Sequence, residues 1–259
     1  MNMPRRVRVS SHFLDRARDG VAECGLMVAL FMMYYITRGV AAGKEAVAFG
    51  HAREVMHVEQ KLGLFREIAL QTTFLTEPAF VRLLNFVYAY THMAVLIIFA
   101  VWVFTMHPDR YREIRNTFLA ILGTGLAIYI LFPLAPPRLF PYTGFVDTLQ
   151  MYSGINYDQQ SIAMLYNPFA AMPSLHVGFA LFTGIGVIAI GRRKIHWVIG
   201  ILYPLLMATA VVGTANHYIL DVIVGSMITI VAYLIVPRLT RKVVARRTAA
   251  RLAASPAVG

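Results

Sequence analysis

Cysteine is all but absent from this 259-residue sequence: Cys24 stands alone, which excludes a disulfide framework within the chain. Charge is scarce as well, at 14% of residues, and acids are scarcer than bases, 13 Asp and Glu against 24 Lys and Arg. A soluble domain of this length needs more polar surface than that. The first apolar run, starting near Val21, is not followed by a small-residue cleavage pattern, so it is expected to stay as a membrane anchor. There is no H-E-x-x-H pattern and no cysteine cluster, the usual marks of zinc, and no G-x-S-x-G elbow, the mark of an acyl-transfer serine. Internal repeats are missing too.

What is present is apolar: 58% hydrophobic residues and a mean hydropathy of +0.61. Together with the scarcity of charge, this is the composition of an integral membrane protein. The net charge of +11 would suggest nucleic acid in a soluble protein. Here the bases sit in short runs beside apolar segments, so membrane topology and anionic head groups explain them and no nucleic-acid partner is expected. The expected fold is all-α and polytopic, with six transmembrane helices over 21–37, 83–106, 117–134, 175–190, 197–213 and 218–236. Within 38–82, Val47, His51, Val55, Val58 and Leu62 recur at helical spacing with charges off the stripe, which predicts an interfacial amphipathic helix. The domains are then a cytoplasmic segment 1–20, a six-helix membrane catalytic domain 21–238, and a basic tail 239–259 expected to be solvated and poorly ordered.

Six spans place 17 of the 24 Lys and Arg on one side, in the N-terminus, the 107–115 and 191–196 loops and the tail. By the positive-inside rule both termini are cytoplasmic, in a multi-pass protein of the cell membrane. The long 135–171 loop, His176 and the turn before His217 then share the outer face. A loop of that length in a compact bundle is usually functional.

From Trp197 to Pro237, His217 and Asp221 are the only acid and the only histidine. Such a pair is costly in lipid and marks a functional site by default. On one helix, the four-residue spacing lets the carboxylate accept the imidazole Nδ1–H and leaves Nε2 as nucleophile or base; a merely satisfied buried histidine needs the same geometry. Pro136-Pro137-Arg138 and Pro173-Ser174-Leu175-His176 meet this pair at the same face. An arginine, a serine at a helix start and two histidines suit phosphoryl transfer without metal: one imidazole attacks phosphorus, the other protonates the leaving oxygen, and cations and N–H groups hold the remaining oxygens. Ser174 also reads as a plain N-cap, Arg138 as an interfacial anchor, and His92, inside the second span, as a packing histidine. His92 and Asn216 are possible supports behind the reacting groups. A zinc site is the competing reading, but no metal is expected, because an aspartate four residues after a histidine suits an orienting partner.

At these residues the chain resembles the type 2 phosphatidic acid phosphatase superfamily, with its proline-serine-x-histidine and histidine-x-x-x-aspartate motifs. The resemblance implies that Ser174 binds phosphate, His176 is acid and base, His217 forms a phosphohistidine, and Asp221 orients it. Phe132-Pro133-Leu134-Ala135-Pro136-Pro137-Arg138-Leu139, followed by Gly144-Phe145-Val146-Asp147-Thr148, looks like the inositolphosphotransferase branch related to inositol phosphorylceramide synthase. Leu131 and Val211 stand where the superfamily carries a lysine and an arginine, and Leu175 where it usually carries glycine, which leaves Arg138 with much of the charge neutralisation. The implied function is a membrane phosphotransferase moving a phospho-head group to or from a lipid, with a phospholipid or polyprenyl phosphate as substrate and no cofactor. A lipid phosphate phosphatase using the same residues is the alternative. A non-catalytic lipid-binding or transport protein is the other, disfavoured because the polar groups cluster at one face rather than at the midplane.

Overall fold

The computed structural model describes residues 43–154 and 167–253, the latter with side chains to 246, and scattered positions between 20 and 39. The described residues form helices, with a single isolated parallel bridge between Leu134 and Ala170 and no strand. In chain order the helices are α1 (Glu45–Leu62), α2 (Glu67–Leu75), α3 (Pro78–Met106), α4 (Pro108–Leu131), α5 (Thr148–Ser153), α6 (Leu175–Ile190), α7 (Lys194–Gly213) and α8 (Ile219–Ala253). Four of them, α3, α4, α7 and α8, are long and apolar enough to cross a membrane, and the chain is an integral membrane protein. The two other expected spans correspond to shorter apolar helices, α6 and Glu23–Thr37.

Local chemistry sets most boundaries. Prolines open α3 and α4, where their missing N–H costs nothing. Gly63, at φ 68°, closes α1 in the left-handed conformation that glycine adopts freely. The third span was expected to start at 117 because Arg110, Arg112 and Arg115 read as loop. Instead α4 starts at Pro108 and carries those charges on its first turns, since charge at a helix end beyond the apolar zone does not interrupt the backbone hydrogen bonds. The tail expected to be disordered from 239 continues α8 to Ala253, through Pro237. Arg241 reaches Glu113 on α4 at 2.6 Å and 3.1 Å, and Asn116 donates to Thr240, so the start of the extension is docked on α4.

Helix α1 is turned relative to the expected stripe. Its buried face is Ala48, Ala52, Val55, Met56 and Glu59, whereas Val47, Val58 and Leu62 are exposed. Small side chains on the inner face allow a close approach: the Ala48 carbonyl accepts from Ala135 N at 3.2 Å.

The short helix α6 lies at the centre, packed against α3, α4, α7 and α8, with Val177, Phe179, Ala180 and Phe182 buried. Its N-terminus meets α8 where Gly225 stands against Ser174. A Cβ on Gly225 would run into the Ser174 carbonyl, a backbone atom with no room to yield. Gly225→Ala should therefore force the two helices apart and destabilise the protein by about 1–3 kcal/mol, as overpacking does. The check is a lowered thermal midpoint in detergent, with Gly123→Ala, whose added carbon meets nothing within 4 Å, as the neutral control.

Candidate active site

The site is built where three loops close one end of the bundle. The 132–140 loop pairs with the 167–173 loop through Leu134 N to Phe169 O at 2.8 Å and Ala171 N to Leu134 O at 3.3 Å. It is tied to the turn after α7 by Arg138 N donating to Ala215 O at 2.8 Å. His51 on α1 stacks on Phe132, 4.0 Å between ring centres, and its Nδ1 lies 2.9 Å from the Pro133 carbonyl, so α1 holds the root of the first loop. Ala215 sits at φ 56°, a left-handed conformation that strains a residue with a Cβ, held by this same loop contact.

His217 is not on a helix, as the four-residue spacing suggested. It lies in the turn before α8, and Asp221 sits in the first turn, where Oδ2 accepts Tyr218 N at 2.8 Å. The two still meet, with His217 Nδ1 3.3 Å from Asp221 Oδ2. A second partner is closer: Nδ1 is 2.7 Å from the Ala171 carbonyl. A carbonyl oxygen only accepts, so Nδ1 carries the hydrogen and Nε2 keeps its lone pair. Burial, with the Arg138 cation nearby and against the pull of the Ala171 carbonyl, pushes the His217 pKa down to about 3, so the ring is neutral at physiological pH.

Ser174 caps α6, its Oγ 3.5 Å from Val177 N, and its own N–H donates to the Asp221 carbonyl at 3.0 Å. This bond joins the starts of α6 and α8. His176, two residues on, has its ring 5.8 Å from that of His217. It stacks on Tyr88 at 4.5 Å and packs against His92 at 4.4 Å. Both rings come from α3 around a π-helical turn, Val87–Thr91, a feature frequent at functional sites. The Nδ1 of His92 is buried without a hydrogen-bond partner.

Arg138 is buried, 6% exposed, and its Nη1 donates to Asn216 Oδ1 at 2.8 Å. Asn216 Nδ2 in turn donates to Thr214 Oγ1 at 2.7 Å, which orients the amide. On its other side the Arg138 Nε is 3.4 Å from Asp147 Oδ2. Asp147 is held by its flanks: Gln71 bonds the Val146 backbone at both N and O, and Asn85 bonds Thr148. Arg138, Ser174, His176, His217, Asp221, Asn216 and His92 are thus gathered at one end of the bundle.

Sequence reasoning missed several groups. The Ala171 carbonyl, as a backbone acceptor, has no sequence signature. Asp147 was noticed only within a stretch quoted for resemblance. Glu59 and Glu67, both fully buried, accept hydrogen bonds from the backbone at the start of α8. The available signal was Ala48, Ala52, Val55 and Glu59, a helical stripe of small residues ending in an acid, beside the one taken as apolar.

A family model described as the PAP2 superfamily matches residues 53–235, which include Arg138, Ser174, His176, His217 and Asp221. The chain belongs to the PAP2 superfamily. No curated protein and no solved structure matches it. PAP2 superfamily members are phosphatases or phosphotransferases, so the protein is a membrane enzyme of the lipid phosphatase or phosphotransferase kind. Val211, standing where the PAP2 pattern would have a cation, is fully buried among apolar neighbours, and its carbonyl accepts from Asn216 and His217 N–H.

Within this PAP2 site Asn216 is the neutral acceptor for one end of the buried guanidinium. Asn216→Ala should lower stability by roughly 1–3 kcal/mol, the cost of leaving a buried donor unpaired. Thermal unfolding in detergent measures it, and Asn216→Asp, which restores an acceptor, should recover most of the loss.

Proposed function

We propose that the protein is a phospho-head-group transferase of the inositolphosphotransferase type, working through a phosphohistidine on His217 without a metal. The observation that carries this reading is the fixed tautomer of His217, whose Nδ1–H is engaged by the Ala171 carbonyl and Asp221 while His176 lies beside the ring. In the first half reaction Nε2 attacks phosphorus, the bond from phosphorus to the departing alcohol breaks, and His176 gives that oxygen a proton. In the second, the incoming alcohol gives its proton to His176 and attacks the phosphohistidine, which restores His217. Arg138 and the N–H groups at the start of α6 hold the phosphate oxygens, and Asp221 stabilises the ring as it becomes positive. Leu131 and Val211, where the superfamily pattern has cations, leave this charge neutralisation to Arg138, in keeping with the transferase branch. His217 is only 3% exposed, and its seclusion from water favours an alcohol as acceptor over hydrolysis, while His176 is half-buried. The substrate is a phospholipid or polyprenyl phosphate reaching the site from the membrane, whose outer face it occupies.

The test traps the covalent species with a nitrophenyl phosphodiester, whose leaving group needs little acid. His176→Ala should form an acid-labile phosphoenzyme and resolve it slowly, His217→Ala should form none, and Asp221→Asn should be intermediate. Membrane insertion of each variant is checked in parallel. Adding polyols should divert product from the phosphate monoester that hydrolysis leaves to a new phosphodiester. Release of that monoester regardless of acceptor would favour the phosphatase reading. A phosphoenzyme in His217→Ala with none in His176→Ala would reverse the two roles.

Orientation is tested separately. In a Cys24→Ser background, a cysteine replacing the fully exposed Tyr142 should react with an impermeant thiol reagent on intact cells, whereas one replacing Arg193 should not. The opposite pattern would place the site on the cytoplasmic face.

A further inference from the structure

Glu59 on α1 and Glu67, the first residue of α2, take no part in the reaction as written, yet both are 0% exposed. A buried carboxylate is costly unless it is hydrogen-bonded or neutralised. Glu59 Oε1 accepts Leu220 N at 2.7 Å, Glu67 Oε1 accepts Ile219 N at 3.0 Å, and Asp221 Oδ2 accepts Tyr218 N at 2.8 Å. Three successive backbone donors at the start of α8, which a helix leaves unsatisfied, thus each receive a separate carboxyl group. No lysine or arginine forms an ion pair with either glutamate among the described residues. The second oxygens, Glu59 Oε2 and Glu67 Oε2, are buried and meet no donor. Because Ile219 and Leu220 are consecutive, the two carboxyl groups accept from neighbouring N–H groups and stand close together out of water, where two negative charges repel and one shared proton relieves them.

We propose that Glu59 and Glu67 are positioning residues: a pair sharing one proton that clamps the first turn of α8 and so holds His217 and Asp221 in their working geometry. Both glutamates come from outside the bundle helices that carry the histidines, which gives the α1–α2 segment a task at the site. The groups facing the pair are Asp221 and Tyr218 on the α8 side, with His217 next in the chain and Arg138 beyond it. Burial, the hydrogen bond with Glu67 and the charges of Glu67 and Asp221 push Glu59 up to about 9, against the pull of the Leu220 N–H. Loss of the shared proton sets a further negative charge beside Asp221, in a site that must accept an anionic phosphate. Because the folded pKa lies above the unfolded one, the stability linked to this proton is complete in acid. It declines as pH rises from the ordinary carboxyl range through about 9.

The activity part of this inference rests on His217 as phosphoryl acceptor; the proton-sharing part does not. Full-length protein in detergent, native and as Glu59→Gln, Glu67→Gln and Glu59→Ala, is followed by thermal unfolding across pH and by turnover of a nitrophenyl phosphodiester. The Glu59→Gln amide can accept from Leu220 N–H and donate to Glu67 without titrating. It should therefore flatten the alkaline decline in the melting temperature and retain most of the neutral-pH rate. It should also move the alkaline fall in kcat upward by about one pH unit or more. Glu59→Ala should lose on the order of a hundredfold in kcat, the scale of a misplaced reacting group. An alkaline decline in Glu59→Gln identical to the native one overturns the shared proton, whatever the reaction. A flattened decline with an unmoved kcat profile overturns the link to His217. If the native protein turns over no phosphodiester, the function proposed above fails while the melting series still decides the pair. Should Glu59→Ala not fold, the two glutamine variants carry the same decision.

Discussion

Backbone N–H groups that water cannot reach must find acceptors inside the protein, and the start of α8 is where this constraint presses hardest. A helix that begins inside the bundle cannot leave its first donors to solvent. Asp221, Glu67 and Glu59 supply the acceptors from three different elements, and the Ser174 N–H closes back on the Asp221 carbonyl. The same contacts that satisfy the helix end also join α1, α2, α6 and α8. His217, in the turn just before them, inherits its position from that junction rather than from a helix of its own.

Around this junction the site is assembled from loops that have little regular structure but many backbone contacts. The 132–140 and 167–173 loops brace one another and deliver, respectively, Arg138 and the Ala171 carbonyl. Charge is arranged in the same economical way. Arg138 is buried between Asn216 and Asp147, one neutral acceptor and one anion, which fixes the guanidinium plane within a membrane protein poor in formal charge.

The sequence made legible what depends on contrast with an apolar background. His217 and Asp221 stand out because nothing else between Trp197 and Pro237 is acidic or histidine, and α6 has the bounds that its apolar run suggests. What stayed hidden has physical reasons. Glu59 lies in a charged, mixed region where an acid is unremarkable, and only the fold turns it inward. The Ala171 carbonyl acts through the backbone, which every residue shares. The helix continuing to Ala253 was read as a loose tail because basic composition says nothing about docking, and the Arg241 contact to Glu113 lies 128 residues away in sequence.

The π-helical turn at Val87–Thr91 carries a geometric consequence. One residue more than an α-helical turn requires is accommodated there, beside Tyr88 and His92, which both touch the ring of His176. Each residue of an α-helix advances the azimuth by about 100°. Removing a single residue from that turn would keep α3 apolar and helical, yet swing one half of the helix around its axis relative to the other. The identity of the ring stack is therefore encoded in a count of residues as much as in their kind. A substitution can alter one ring at a time, whereas a one-residue deletion would exchange a whole face of the helix.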